Sequence, residues 1–127
     1  MAATPAAAAQ PAEPRVVSFL QSYFTAINDH NYGKYASLVA SSQRPTPQQF
    51  QSGFGSTKDS NATLTGLAAT ANGVAATLKF TSHQLPSASP TGTSCNVWHI
   101  TLFLQAHGAG YRAGPTPPGY HAHDRPC

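Results

Sequence analysis

Charge is scarce in this chain. Charged residues make up 9% of its 127 positions, and only four of them are carboxylates. The seven lysines and arginines are scattered from Arg15 to Arg125 and give a formal net charge of +3. They form no basic run, and a nucleic-acid partner needs a clustered basic footprint, so that class is excluded. No apolar run reaches the length of a membrane span, so the sequence reads as a soluble domain that does not itself insert. No glycine-rich phosphate loop opens a helix, and no nucleophile-elbow pattern surrounds a serine. The polar surface must come instead from Ser, Thr, Asn and Gln. A chain of this length suits one domain with a core of its own.

Cysteine is nearly absent too. Cys95 and Cys127 allow one intramolecular pair, and a strap at the last residue is a common use of a disulfide. Closing that loop would stabilise the fold by roughly 3 kcal/mol in the chain-entropy model. The segment "MAATPAAAAQPAEP", residues 1–14, is expected to be a disordered tether, because Pro5, Pro11 and Pro14 interrupt its alanines and nothing large and apolar docks it. It carries no signal-peptide pattern of its own. Tether and disulfide together favour an extracytoplasmic, oxidising setting, secreted or membrane-tethered.

What is present is periodicity. From Arg15, the residues Val16, Phe19, Leu20, Tyr23, Phe24 and Ile27 recur at spacings of three and four, which predicts an amphipathic helix. It should end around "NDHN", where Asn31 is placed to cap a shorter helix carrying Tyr32, Tyr35 and Val39 on one face. "PQQFQSGF" predicts a third short helix or a turn, with Phe50 and Phe54 at i and i+4. The period then switches to two. Residues 61 to 70 read as a strand with a bulge at Gly66, leaving Asp59 in the loop before it. In "VAATLKFTSH" an apolar face runs through Val74, Ala76, Leu78 and Phe80, and in "CNVWHITLFLQ" through Trp98, Ile100, Leu102 and Leu104. "HGAG" predicts a hairpin turn, and a last strand passes through "YRAG", breaks at "PTPP" and resumes at "GYHAH". Helices first and an antiparallel meander after them predict an α+β fold.

That order, with "AIN" closing the first helix, then "NYGKYASLV", "FQSGF" and long strands bearing a tryptophan, resembles the nuclear transport factor 2-like (SnoaL-like) superfamily from about residue 15 to 127. It is most similar to small extracytoplasmic bacterial members. The resemblance implies N-terminal helices packed in a strongly curved antiparallel sheet, shaped as a cone with an apolar cavity at its open end. The superfamily contains both enzymes and non-enzymes. Its isomerases and cyclases place an aspartate, or a His-Asp pair, in the cone.

Those catalytic roles do not carry over on the expected strand faces, which hold no carboxylate. Glu13 falls in the tether, Asp124 in the tail, and only Asp29 is expected to reach the cavity mouth. One carboxylate without a partner gives no pair of groups whose pKa values can be driven apart. The sequence therefore predicts a non-catalytic binding or sensor module with no cofactor. Its apolar small-molecule cavity would be lined by Tyr23, Tyr35, Phe54, Phe80 and Trp98. The alternative is a small isomerase, dehydratase or cyclase using Asp29 with Tyr35 or a histidine. His83, His99, His121 and His123 share no metal-ligand spacing and are expected at the surface. A partly apolar outer sheet face, through Val97, Thr101 and Phe103, predicts a homodimer.

Overall fold

One apolar stripe organises the molecule. The computed structural model describes the backbone of residues 4–127 and the side chains from residue 13 on. Helix α1 (Thr4–Asn28) buries Val16, Phe19, Leu20, Tyr23, Phe24 and Ile27, while Val17, Gln21 and Thr25 on its other side are exposed. These are the spacings that put side chains on one helical face. Of the tether expected over residues 1–14, residues 1–3 lie outside the described residues, and the backbone of residues 4–14 is helical. Alanine, the strongest helix former, dominates that stretch.

The helix stops at the expected corner by a specific device. His30 adopts a left-handed φ of 54°; its N–H donates to the Ile27 carbonyl and the Asn31 N–H to the Ala26 carbonyl. This pair of bonds is the Schellman closure of a helix C-terminus. Asn31 then caps α2 (Tyr32–Ser37), its Oδ1 accepting from the Lys34 N–H at 3.1 Å. Helix α3 (Pro47–Phe54) opens on a capping box in which Thr46 and Gln49 bond each other's backbone N–H. Each device satisfies donors that a helix N-terminus leaves open.

The second half is an antiparallel sheet of five strands: β1 (Lys58–Ala69), β2 (Gly73–His83), β3 (Cys95–His107), β4 (Gly110–Ala113) and β5 (His123–Pro126). The order is β1-β2-β3, after which β4 and β5 share the far edge of β3. Val74, Ala76, Leu78 and Phe80 are buried, as the alternation predicted, and join the α1 stripe in one core with Leu104. The hairpin at Gly108 forms where expected, with φ 58°. The fold is α+β, three helices against an antiparallel sheet.

Three differences from the expected strands have physical causes. β1 begins at Lys58 and so contains Asp59. The last strand is His123–Pro126 and not "GYHAH", because the Cys95–Cys127 disulfide draws the chain end onto β3. The segment before it folds over the outer sheet face. There Tyr120 packs edge-on to Phe103 at 5.4 Å, and its hydroxyl accepts from the Thr101 N–H. Part of the outer face is thus covered by the chain itself. Among the described residues no helix is long and apolar enough to cross a membrane. The disulfide is consistent with an oxidising location outside the cytoplasm.

Replacing Cys95 and Cys127 by serine together should lower the unfolding free energy by about 3 kcal/mol. Dithiothreitol should do the same to the wild-type protein in a urea melt and have no effect on the double variant.

Candidate functional site

Between α1, α3 and the neighbouring ends of β2 and β3 lies a chamber of about 220 Å³. Helix α1 supplies Tyr23, Phe24 and Ile27 to its wall, and α3 supplies Phe54. Phe80 and Ser82 come from β2, Trp98 and Ile100 from β3. Gln84, Ala88 and Pro90, on the connection from β2 to β3, form a rim. The rings interlock: Phe24 and Phe80 are 5.0 Å apart, and Phe80 lies nearly parallel to Trp98 at 6.5 Å. Such contacts favour fixed positions for large aromatic side chains.

One carboxylate lines this apolar space. Asp59, expected in a loop away from the cavity, sits in β1 on the inner face. Its cross-strand partner is Ser82, the next inward residue after Phe80 along β2, and directly opposed residues of an antiparallel pair share a face. The backbone of Asp59 is clamped by the side chain of Asn28 at the end of α1. The Asp59 N–H donates to Asn28 Oδ1 at 2.7 Å, and Asn28 Nδ2 donates to the Asp59 carbonyl at 2.9 Å. Asn28 thereby acts as the strand that β1 lacks on this edge. The amide reaches across 31 residues of chain, which no local pattern announces. Beside it, Lys58 Nζ donates to the Asn28 carbonyl at 2.7 Å, and His30 Nε2 lies 3.2 Å from the Thr57 carbonyl.

The Asp59 carboxyl is incompletely satisfied. Its Oδ1 is buried without a hydrogen-bond partner, the one such side-chain atom among the described residues. Burial pushes its pKa above the ordinary value, and the Ser82 hydroxyl offsets part of that by favouring the ionised form. Tyr23, in the same wall, is held well above its ordinary value, first by burial and then by Tyr35 and the Asp59 charge. Tyr23 therefore keeps its proton and remains a neutral donor. Tyr35 is raised by burial, an effect the Tyr23 hydroxyl partly opposes.

The residues expected to line a cavity divide. Tyr23, Phe54, Phe80 and Trp98 line the chamber, whereas Tyr35 is buried behind it, 5.5 Å from both Tyr23 and Phe54 and 5.0 Å from Phe50. Asp29 is exposed and lines no part of the chamber. Among the described residues the one acid of the chamber is thus not Asp29, which was expected at the cavity mouth, but Asp59 on β1. The signal that could have placed it was the pair of asparagines, Asn28 at the helix end and Asn61 in the strand. On the outer face His99 pairs with His123 across β3 and β5. Among the described residues no group of three or more His, Cys, Asp or Glu is arranged to hold a metal. No protein-family model matches the chain, and neither a curated relative nor a solved structure matches it.

The sign of the Asp59 effect on stability follows from its raised pKa. The folded state holds this proton to higher pH than the unfolded chain does. Its contribution is full below the ordinary value of 3.8 and is lost as pH rises through the folded value. Asp59→Asn, which cannot carry the charge, should therefore be more stable than wild type at pH 7. That gap should close in urea melts as pH falls below 3.8. Asn28→Ala should instead lose about 1–2 kcal/mol at either pH, through its two bonds to the Asp59 backbone.

Proposed function

We propose that the domain binds a small, mainly apolar molecule in this chamber, with Asp59 fixing its orientation. The observation that carries the reading is a buried, unpartnered carboxylate oxygen on a residue lining an aromatic space. Native proteins pair buried polar groups, and an exception beside a cavity is a group kept for something that enters. Mostly apolar walls with few convergent polar groups are the usual make-up of a ligand site. A cavity of about 150 Å³ lined by apolar side chains holds benzene. A chamber of about 220 Å³ therefore suits one ring with a short substituent.

In this reading the fold is a nuclear transport factor 2-like cone, and the domain serves as a binding or sensing module outside the cytoplasm. The disulfide supports the compartment, and the helix-then-meander order supports the cone. A second reading is proton transfer on such a ligand, with Asp59 as base and Tyr23 as neutral donor. It is favoured by the raised pKa of both groups and their place in one wall. An enolisable ketone of chamber size would then exchange its α-protons for deuterium, and Asp59→Asn would abolish the exchange.

Binding is measured directly, because Trp98 is the chain's one tryptophan and lines the chamber. Neutral 2-phenylethanol and p-cresol should shift its emission saturably and raise the melting temperature. Gly53 also lines the chamber, and a side chain built there meets open space. Gly53→Leu should keep the fold and weaken both probes about tenfold, in line with burial of a leucine side chain in the ligand's place. Emission unchanged by every apolar probe, up to their solubility, defeats the reading.

A further inference from the structure

The chamber's wall carries one carboxyl group and no cation to balance it. Among the described residues no lysine, arginine or histidine lines it; the titratable groups in its wall are Asp59 and Tyr23. Ser82, which faces Asp59 from β2, is uncharged, and Phe54 on α3 and Trp98 on β3 bring only rings. An anionic ligand would meet the carboxylate with no cation to hold it. A neutral ligand would leave the charge in place and uncompensated in a space that disfavours it.

The rest of the wall has the same sign of preference. Five aromatic residues line the chamber, Tyr23, Phe24, Phe54, Phe80 and Trp98. The faces of aromatic rings carry the negative end of a quadrupole and attract cations, most strongly once water is excluded. Phe24, Phe80 and Trp98 follow one another at 5.0 and 6.5 Å, so a small cation among them meets more than one ring. A carboxylate within an aromatic enclosure is the arrangement that holds organic ammonium groups.

We infer that the chamber selects a small organic ammonium, one aromatic or aliphatic ring bearing a short aminoalkyl arm, whose nitrogen approaches Asp59 while its body lies among Phe24, Phe80 and Trp98. The inference rests on the binding reading above and names the ligand class of that site. It also supplies what the wall lacks, since a hydrogen-bond donor and a countercharge for the Asp59 carboxylate arrive together on one ligand atom. A charge-assisted bond is stronger than a neutral one and comes with the cation–π attraction.

The test compares 2-phenylethylamine, protonated at neutral pH, with 2-phenylethanol, which matches it in size and retains one donor. Titrated by calorimetry into the wild-type protein at pH 7, the amine should bind at least about tenfold more tightly. Asp59→Asn should bring the two within about twofold, by weakening the amine far more than the alcohol. Phenylacetate should not bind. Equal affinities for amine and alcohol in the wild type would overturn the ammonium inference and leave the apolar chamber reading standing. An amine preference that survives Asp59→Asn would overturn it too, since the nitrogen would then be held elsewhere. Failure of amine and alcohol alike overturns both. The wild-type comparison decides the matter even if the variant were to fold poorly.

Discussion

Two hydrogen bonds from the Asn28 amide to the main chain of Asp59 tie the end of α1 to the first rungs of the sheet, and the site follows from that tie. A strand edge without a partner leaves its N–H and C=O groups open, and a side-chain amide offers one donor and one acceptor at the right separation to close them. Because α1 is already fixed by its buried stripe, the clamp transmits that position to β1. The helix C-terminus needs its own stop for this to work. The left-handed His30 supplies it, turning the chain so that Asn28 faces the sheet while Asn31 starts the next helix.

The direction in which Asp59 points is set by a bulge. Between Ser60 and Thr63 the β1–β2 register slips by one residue, at Asn61, whose φ of 57° is left-handed. Asparagine tolerates that region better than most residues. Counting by twos from the inward Leu64 without the slip would put Ser60 inside and Asp59 out. With it, Asp59 opposes Ser82 and enters the core side. A second slip between Leu64 and Gly66 lets both Leu64 and Leu67 lie on the inner face. One extra residue thus turns an outward acid into a part-buried, inward one, since each slip exchanges the two faces of a strand.

This explains what the sequence disclosed and what it withheld. The α1 stripe, the Asn31 cap, the α3 helix, the β2 face and the Gly108 hairpin are all local patterns, and each is recovered in place. The Gly66 irregularity is legible because glycine in a strand marks a bulge. The aromatic walls were legible as well, since Phe54, Phe80 and Trp98 lie on faces that periodicity identifies. Asp59 was not. The stretch "KDSN" reads as loop, and the strand there is made by distant partners: β2 pairs it on one edge, and the Asn28 side chain, 31 residues away, closes the other. The placement of Tyr35 behind the wall, and not in it, likewise depends on how α2 and α3 pack, which no periodicity specifies.

Asn96 makes the contrast that gives Asp59 its meaning. It is fully buried and fully bonded: Nδ2 donates to Asp124 Oδ2 and Thr91 Oγ1, while Oδ1 accepts from Gln84 Nε2 and Ser89 Oγ. Those partners belong to the rim connection and to β5, which the Cys95–Cys127 disulfide and the Cys127 N–H to Cys95 carbonyl bond hold against β3. The chain therefore has the means to satisfy a buried polar group completely, and it does so at the rim, where rigidity shapes the chamber mouth. At Asp59, with Ser82 directly opposite it across the strands, Oδ1 is left without a partner. Among the described residues, networks completed except at one buried oxygen of a chamber-lining residue are the pattern of a site in which local consistency gives way to function.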